Sequence, residues 1–143
     1  MKSNSIYGAL MVIVLALIVS VPMTQAQTRA RASVPFDFSL DQKSMPAGTY
    51  EISSPSGSVL VVRNLDTREA RLLIESMHVQ ASQAEGIPHA KLVFHRYGDQ
   101  YFLAEIWGGQ SSIGVAFPES KREKELQWAR DSHEPELVVI AMK

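Results

Sequence analysis

Lys91–Trp107 constrains this chain more than any other stretch. Two strand-like runs, Leu92–Tyr97 and Gln100–Trp107, flank the dipeptide Gly98-Asp99, a composition suited to a two-residue hairpin turn. A straight ladder across that turn pairs Tyr97 with Gln100, His95 with Phe102 and Val93 with Ala104 on one face. Arg96 with Tyr101, Phe94 with Leu103 and Leu92 with Glu105 share the other. Both faces carry large apolar groups, so the hairpin is predicted to be central, with a covering layer on each side.

The flanking segments supply material for those layers. Val34, Phe36, Phe38 and Leu40 alternate with Ser33, Pro35, Asp37 and Ser39, the period of a half-buried strand. Pro35 has no N–H to give a ladder, so this strand is expected to start late or lie at a sheet edge. Turns are predicted at Met45-Pro46-Ala47-Gly48, Ser54-Pro55-Ser56-Gly57 and Asn64-Leu65-Asp66-Thr67, with extended chain over Thr49–Ser53 and Ser58–Arg63. Arg68–Gln80 fits helical or strand spacing, and its setting among short strands favours strand. Ala81–Ala90 and Gly108–Gly114 read as loops.

Ser120 followed by Glu123 is a capping-box pattern, predicting a short helix from Lys121 to about Arg130. Apart from Leu126, Trp128 and Ala129 it is largely charged, and a helix this short is marginal unless it docks. Leu137–Met142 is a continuous apolar run that reads as a buried terminal strand. The whole predicts an all-β domain, a β-sandwich or small barrel of about seven strands, with one short C-terminal helix.

Composition narrows the function classes. With 143 residues, 14 Lys+Arg, 15 Asp+Glu and no cysteine, the chain has room for one modest domain of near-neutral charge. That balance argues against a nucleic-acid binder, which usually shows a basic stripe. The lack of cysteine excludes a thiol nucleophile, a zinc ribbon, an iron–sulfur site, a disulfide scaffold and a bacterial lipid anchor.

The N-terminus has the form of an export signal. Lys2 precedes an apolar run over Ile6–Val19, Pro22 ends it, and the small residues Thr24 and Ala26 stand before a cut after Ala26. Residues 1–26 are thus read as a signal peptide and Gln27–Lys143 as the mature domain, periplasmic or extracellular. The apolar run is shorter than the roughly 20 residues a membrane span needs, so no span is expected after cleavage.

Two segments carry a likeness. Val34-Pro35-Phe36-Asp37-Phe38 with Met45-Pro46-Ala47-Gly48-Thr49-Tyr50, and Lys91–Leu103 followed by Trp107 and Ser120-x-x-Glu123-x-x-Leu126, resemble a family of short exported proteins from acidobacterial-type soil bacteria. The resemblance covers most of residues 34–126 and implies bacterial export and an all-β domain. It supplies no catalytic or binding residues.

Candidate chemistry is sparse. His78, His89, His95 and His133 are scattered without metal-ligand spacing, and no G-x-S-x-G elbow or phosphate loop is present. Neither a catalytic residue, a metal ligand nor a cofactor is assigned from sequence. The best exposed polar–aromatic group is the hairpin tip, Arg96, Tyr97, Asp99 and Tyr101, with Trp107 and the Gly108–Gly114 loop beside it. Glu105 and Trp107 read either as a sugar-stacking pair or, preferably, as a core indole with Glu105 neutralising a nearby arginine. The expected function is a non-enzymatic exported domain binding an unidentified ligand or protein in the cell envelope or outside the cell. The alternatives are an assembly component pairing through an edge strand near Val34–Leu40, and a hydrolase of polysaccharide or cell wall.

Overall fold

The computed structural model describes residues 29–56, 59–74, 78–80, 89–109, 113–129 and 134–143. The signal segment, most of the Ala81–Ala90 loop and His133 lie outside them. The elements in chain order are β1 (Arg29–Val34), β2 (Phe38–Leu40), β3 (Lys43–Met45), β4 (Gly48–Ser56), β5 (Val59–Asn64), β6 (Ala70–Ile74) and β7 (His78–Gln80). They continue with β8 (Lys91–Tyr97), β9 (Gln100–Trp107), β10 (Ile113–Ala116), α1 (Lys121–Trp128) and β11 (Glu136–Ala141). The fold is all-β, with two sheets and one short helix among the described residues.

The first sheet is antiparallel in the order β1-β4-β5-β6. Its strands alternate strictly: Ala32, Val34, Tyr50, Ile52, Leu60, Val62 and Leu73 are buried, while Arg31, Ser33 and Arg63 on the other face meet solvent. One wet face and one dry face is the ordinary solution for an antiparallel sheet. The second sheet runs β11-β8-β9-β10-β7, with β2 added parallel to β9 through a Ser39–Phe102 bridge and β3 paired to β2.

The β8–β9 hairpin is the centre, as its two apolar faces require. Gly98 turns it with φ 65°, a left-handed conformation that costs glycine nothing. Pairing follows the straight ladder from Tyr97–Gln100 to Phe94–Leu103, then shifts: Val93 faces Glu105, Leu92 faces Ile106 and Lys91 faces Trp107. Ala104 is the extra residue of a β-bulge, so the expected Val93–Ala104 and Leu92–Glu105 pairs do not form. The reason is chemical. Leu92 is buried in the core with Phe94, Leu103 and Ile106, and the bulge keeps the Glu105 carboxylate off that face.

Phe38 joins the layers. Its ring meets Tyr50 of the first sheet edge-on at 5.1 Å and Phe94 of the second at 5.2 Å. Phe36 stands edge-on to Phe94 at 5.2 Å and stacks on Tyr101 at 3.8 Å. Such contacts add about 0.5–1.5 kcal/mol each beyond buried area. At one lateral side the sheets are stitched together: Arg31 and Lys143 exchange both backbone bonds, at 2.8 and 2.9 Å. Arg31 of β1 is thereby paired on the side away from β4.

Several boundaries differ from the sequence reading. The alternating run Ser33–Leu40 is two strands, because the chain leaves one sheet after Val34 and enters the other at Phe38, with Pro35 in the crossing. Strand β1 begins earlier, in the polar lead, where Ala30 and Ala32 face Ile52 and Tyr50 and are small enough to let those side chains fill the core. Strand β4 continues through Pro55 to Ser56 across an irregular register. Ile113 and Gly114 belong to β10, where the Trp107 ring lies so close to Gly114 that an added Cβ would sit 2.7 Å from it. Strand β11 is half-buried and not fully covered: Val138 and Ile140 pack on the core while Leu137 and Val139 are exposed. Strand replaces helix within Arg68–Gln80, as the setting suggested.

The β2–β3 turn carries backbone strain. Asp41 and Gln42 adopt φ 47° and 66°, left-handed geometry that twists a tight hairpin correctly but normally selects Asn-Gly. Asp tolerates it through local hydrogen bonding, and Gln does not have that advantage. Gln42→Gly is expected to stabilise the protein by about 1 kcal/mol, seen as a higher urea midpoint at unchanged slope.

Candidate functional site

The side of the molecule opposite the Arg31–Lys143 stitch is where the sheets part. Strand β9 is paired along one edge by β8, but on its other edge β2 touches only at Phe102 and β10 begins only opposite Glu105. A cleft of about 440 Å³ opens there. Its apolar wall is Leu72 and Leu73 of β6, Phe102 and Leu103 of β9, and Phe117. Its polar rim is Ser39, the strained Asp41-Gln42 turn, and Glu119, Ser120 and Glu123. Leu72 is 68% exposed, an apolar side chain held at the mouth. Among the described residues the charged groups on this lining are carboxylates, and Asp41 has Arg71 within 4.0 Å.

The helix fixes the polar end. Ser120 caps α1, its hydroxyl accepting from the Glu123 N–H at 3.1 Å, which is the serine half of the predicted capping box; the Glu123 carboxylate turns to His95 instead. What docks the helix was not anticipated. Leu126 is half-buried and Trp128 is 78% exposed, whereas Glu123 is buried. Its Oε1 lies 2.6 Å from Nδ1 of His95, on the outward face of β8. A charged helix is thus held to the sheet by a hydrogen-bonded ion pair. Glu119 reaches the same spot: one donor atom each from His95, Glu119 and Glu123 lie within 4.8 Å of one another, a set able to hold a metal ion.

That bond to Glu123 raises the His95 imidazole above its ordinary value of 6.5. Partial burial acts in the opposite direction, and the negative charges of Glu123, Glu119 and Glu105 add to the rise.

The hairpin-tip residues are placed differently from one another. Arg96 and Tyr101 meet as expected, with the guanidinium 5.6 Å from the ring centre. Arg96 also donates to the Gly98 carbonyl at 2.8 Å and to Glu136 at 3.4 Å. Asp99 is exposed and lines a small hollow of about 160 Å³ with Asp37, Ser44 and Tyr101. Tyr97 is buried against Phe102 on the opposite face. Trp107 is buried at the far end of the hairpin, its indole N–H donating to Glu105 at 2.8 Å and Lys91 5.7 Å from its ring. Glu105 therefore serves the indole, where the sequence reading gave it an arginine.

The cleft residues were not singled out from sequence. His95 and Glu123 stand 28 positions apart, on a strand and on a helix, so no local spacing announces them. The capping box located Glu123 but directed its side chain to the Ser120 backbone, not to His95.

The His95–Glu123 pair makes stability pH-dependent. Because the folded-state pKa of His95 is raised, its contribution is fully present below about pH 6.5 and is lost as pH rises through the folded-state value. Urea unfolding in EDTA-containing buffer is expected to show declining stability from neutral pH upward, and Glu123→Gln is expected to flatten that decline.

No family model, no characterised protein and no solved structure matches this chain.

Proposed function

We propose that this chain is an exported, non-enzymatic binding domain that takes a small amphipathic molecule in the cleft where its two sheets part. The observation that carries this reading is the cleft itself. Its volume of about 440 Å³ falls within the range of small-molecule sites, and its wall is apolar with a few convergent polar groups. Backbone strain supports it further, since two of the three left-handed non-glycine residues among the described residues, Asp41 and Gln42, are on the rim, the third being Arg68 outside it. Strained turns persist where the surroundings hold them and cluster at binding sites.

The lining also indicates the ligand's chemistry. An apolar body would lie against Leu72, Leu73, Phe102 and Phe117, and a cationic or hydrogen-bond-donating head would face Glu119 and Asp41. The proposal puts the ligand here in preference to the hairpin tip because Arg96 and Tyr101 already satisfy each other and their neighbours. Among the described residues no helix is long and apolar enough to cross a membrane. The signal-like N-terminus supports export, which puts the ligand in the cell envelope or outside the cell.

The test is a thermal-shift series with primary alkylamines of increasing chain length against alkyl carboxylates of matched length. The amines are expected to raise the melting temperature saturably, by about 2.7 kcal/mol of stabilisation at 100 times the dissociation constant. Leu72→Arg, a change at an exposed position, is expected to abolish the shift while the protein stays folded. Equal shifts with carboxylates would overturn the head-group assignment. No shift, or one that survives Leu72→Arg, would overturn the site.

A further inference from the structure

We infer that His95, Glu119 and Glu123 form a binding site for a divalent transition-metal ion, of the class of Zn²⁺, Co²⁺ or Mn²⁺, open to the cleft. The inference goes beyond amphiphile binding and does not depend on it; the two share Glu119, so a bound ion would take the place of a cationic head at that carboxylate. Three observations meet at this point. The donors are one imidazole nitrogen and two carboxylates, each offering an atom within 4.8 Å of the others. Nitrogen–oxygen donor sets suit borderline divalent ions, whereas thiolates would select softer ones and all-oxygen cages harder ones.

The donors are also supported from separate elements. His95 projects from the central hairpin strand, and Glu123 is held in the first turn of α1 by the Ser120 cap. Glu123 is 5% exposed, and burying a carboxylate on a sheet face is costly unless a positive charge meets it. A divalent ion between two carboxylates would leave the set neutral. Metal–donor distances of about 2.0–2.2 Å put neighbouring donors roughly 3–3.5 Å apart, so His95 and Glu123 need small adjustments and Glu119 closes the remaining gap by side-chain rotation.

The third observation is the cavity. Glu119, Ser120 and Glu123 line the cleft. With three protein ligands on one side, the remaining coordination positions face the open volume, the arrangement of metal sites that admit water or a ligand. The alternative is that His95 and Glu123 are an ion pair whose only task is to hold the helix. Glu119 separates the two readings, because it has no part in that pair.

The experiment is isothermal titration of EDTA-stripped, dialysed protein with Zn²⁺, together with visible spectroscopy of the Co²⁺ form. One Zn²⁺ per chain is expected, at a dissociation constant of about 10 µM or tighter. The Co²⁺ form is expected to show the d–d bands of a four- or five-coordinate ion. Glu119→Gln is expected to weaken binding at least about tenfold while the metal-free protein stays folded, and His95→Gln to abolish it. No uptake at roughly 1 mM Zn²⁺ would overturn the inference. So would uptake that Glu119→Gln leaves unchanged, since the ion would then lie elsewhere or on the pair alone.

Discussion

A hairpin with large apolar side chains on both faces needs two covering layers, and the rest of this protein is arranged to supply them. Leu92, Phe94, Leu103 and Ile106 face the first sheet, and Val93, Tyr97, Phe102 and Trp107 are buried on the other side. The sequence Leu103-Ala104-Glu105-Ile106 would break that division if the ladder ran straight, because Glu105 would face the core. One bulged residue, Ala104, corrects the phase. Over the outer face the cover includes a helix of only 8 residues, too short to be stable alone. It is held by the Ser120 cap and by Glu123 bonded to His95, so its attachment is electrostatic where an apolar stripe would be usual.

The two lateral sides of the sandwich have opposite characters. On one, Arg31 of β1 pairs backbone to backbone with Lys143, just after β11. On the other, β6 has no neighbour beyond β5 among the described residues, and the edge of β9 is only partly covered by β2 and β10. The cleft, the strained turn, the exposed Leu72 and two of the three potential metal donors, Glu119 and Glu123, belong to this second side. A stitched side gives the fold its closure, and the parted side leaves the cleft open.

What was legible in the sequence was local. Period-two alternation, the Gly98-Asp99 turn and the Ser120–Glu123 box each report a few neighbouring residues: the turn and the Ser120 cap are found in place, while the alternating run is split between two sheets. The β2–β3 hairpin was hidden because its turn is Asp41-Gln42, without the glycine that usually marks left-handed geometry. Strand β1 was hidden because its inward residues include alanines, which carry little apolar signal. The terminal strand looked buried because Leu137 and Val139 are apolar, yet they face outward from a sheet edge. The cleft was least legible of all. It is assembled from β6, the β2–β3 turn, β9 and α1, and only the packing of the two sheets decides that these meet.

The contrast between a closed and a parted side is most directly tested by residue-resolved amide hydrogen exchange of the free protein. The account requires the Arg31 and Lys143 amides to be protected nearly as well as those of the β8–β9 ladder, while β6 amides directed away from β5 exchange rapidly. Fast exchange at Lys143 together with strong protection along the outer edge of β6 would contradict it. The cleft would then not be the open side of this fold.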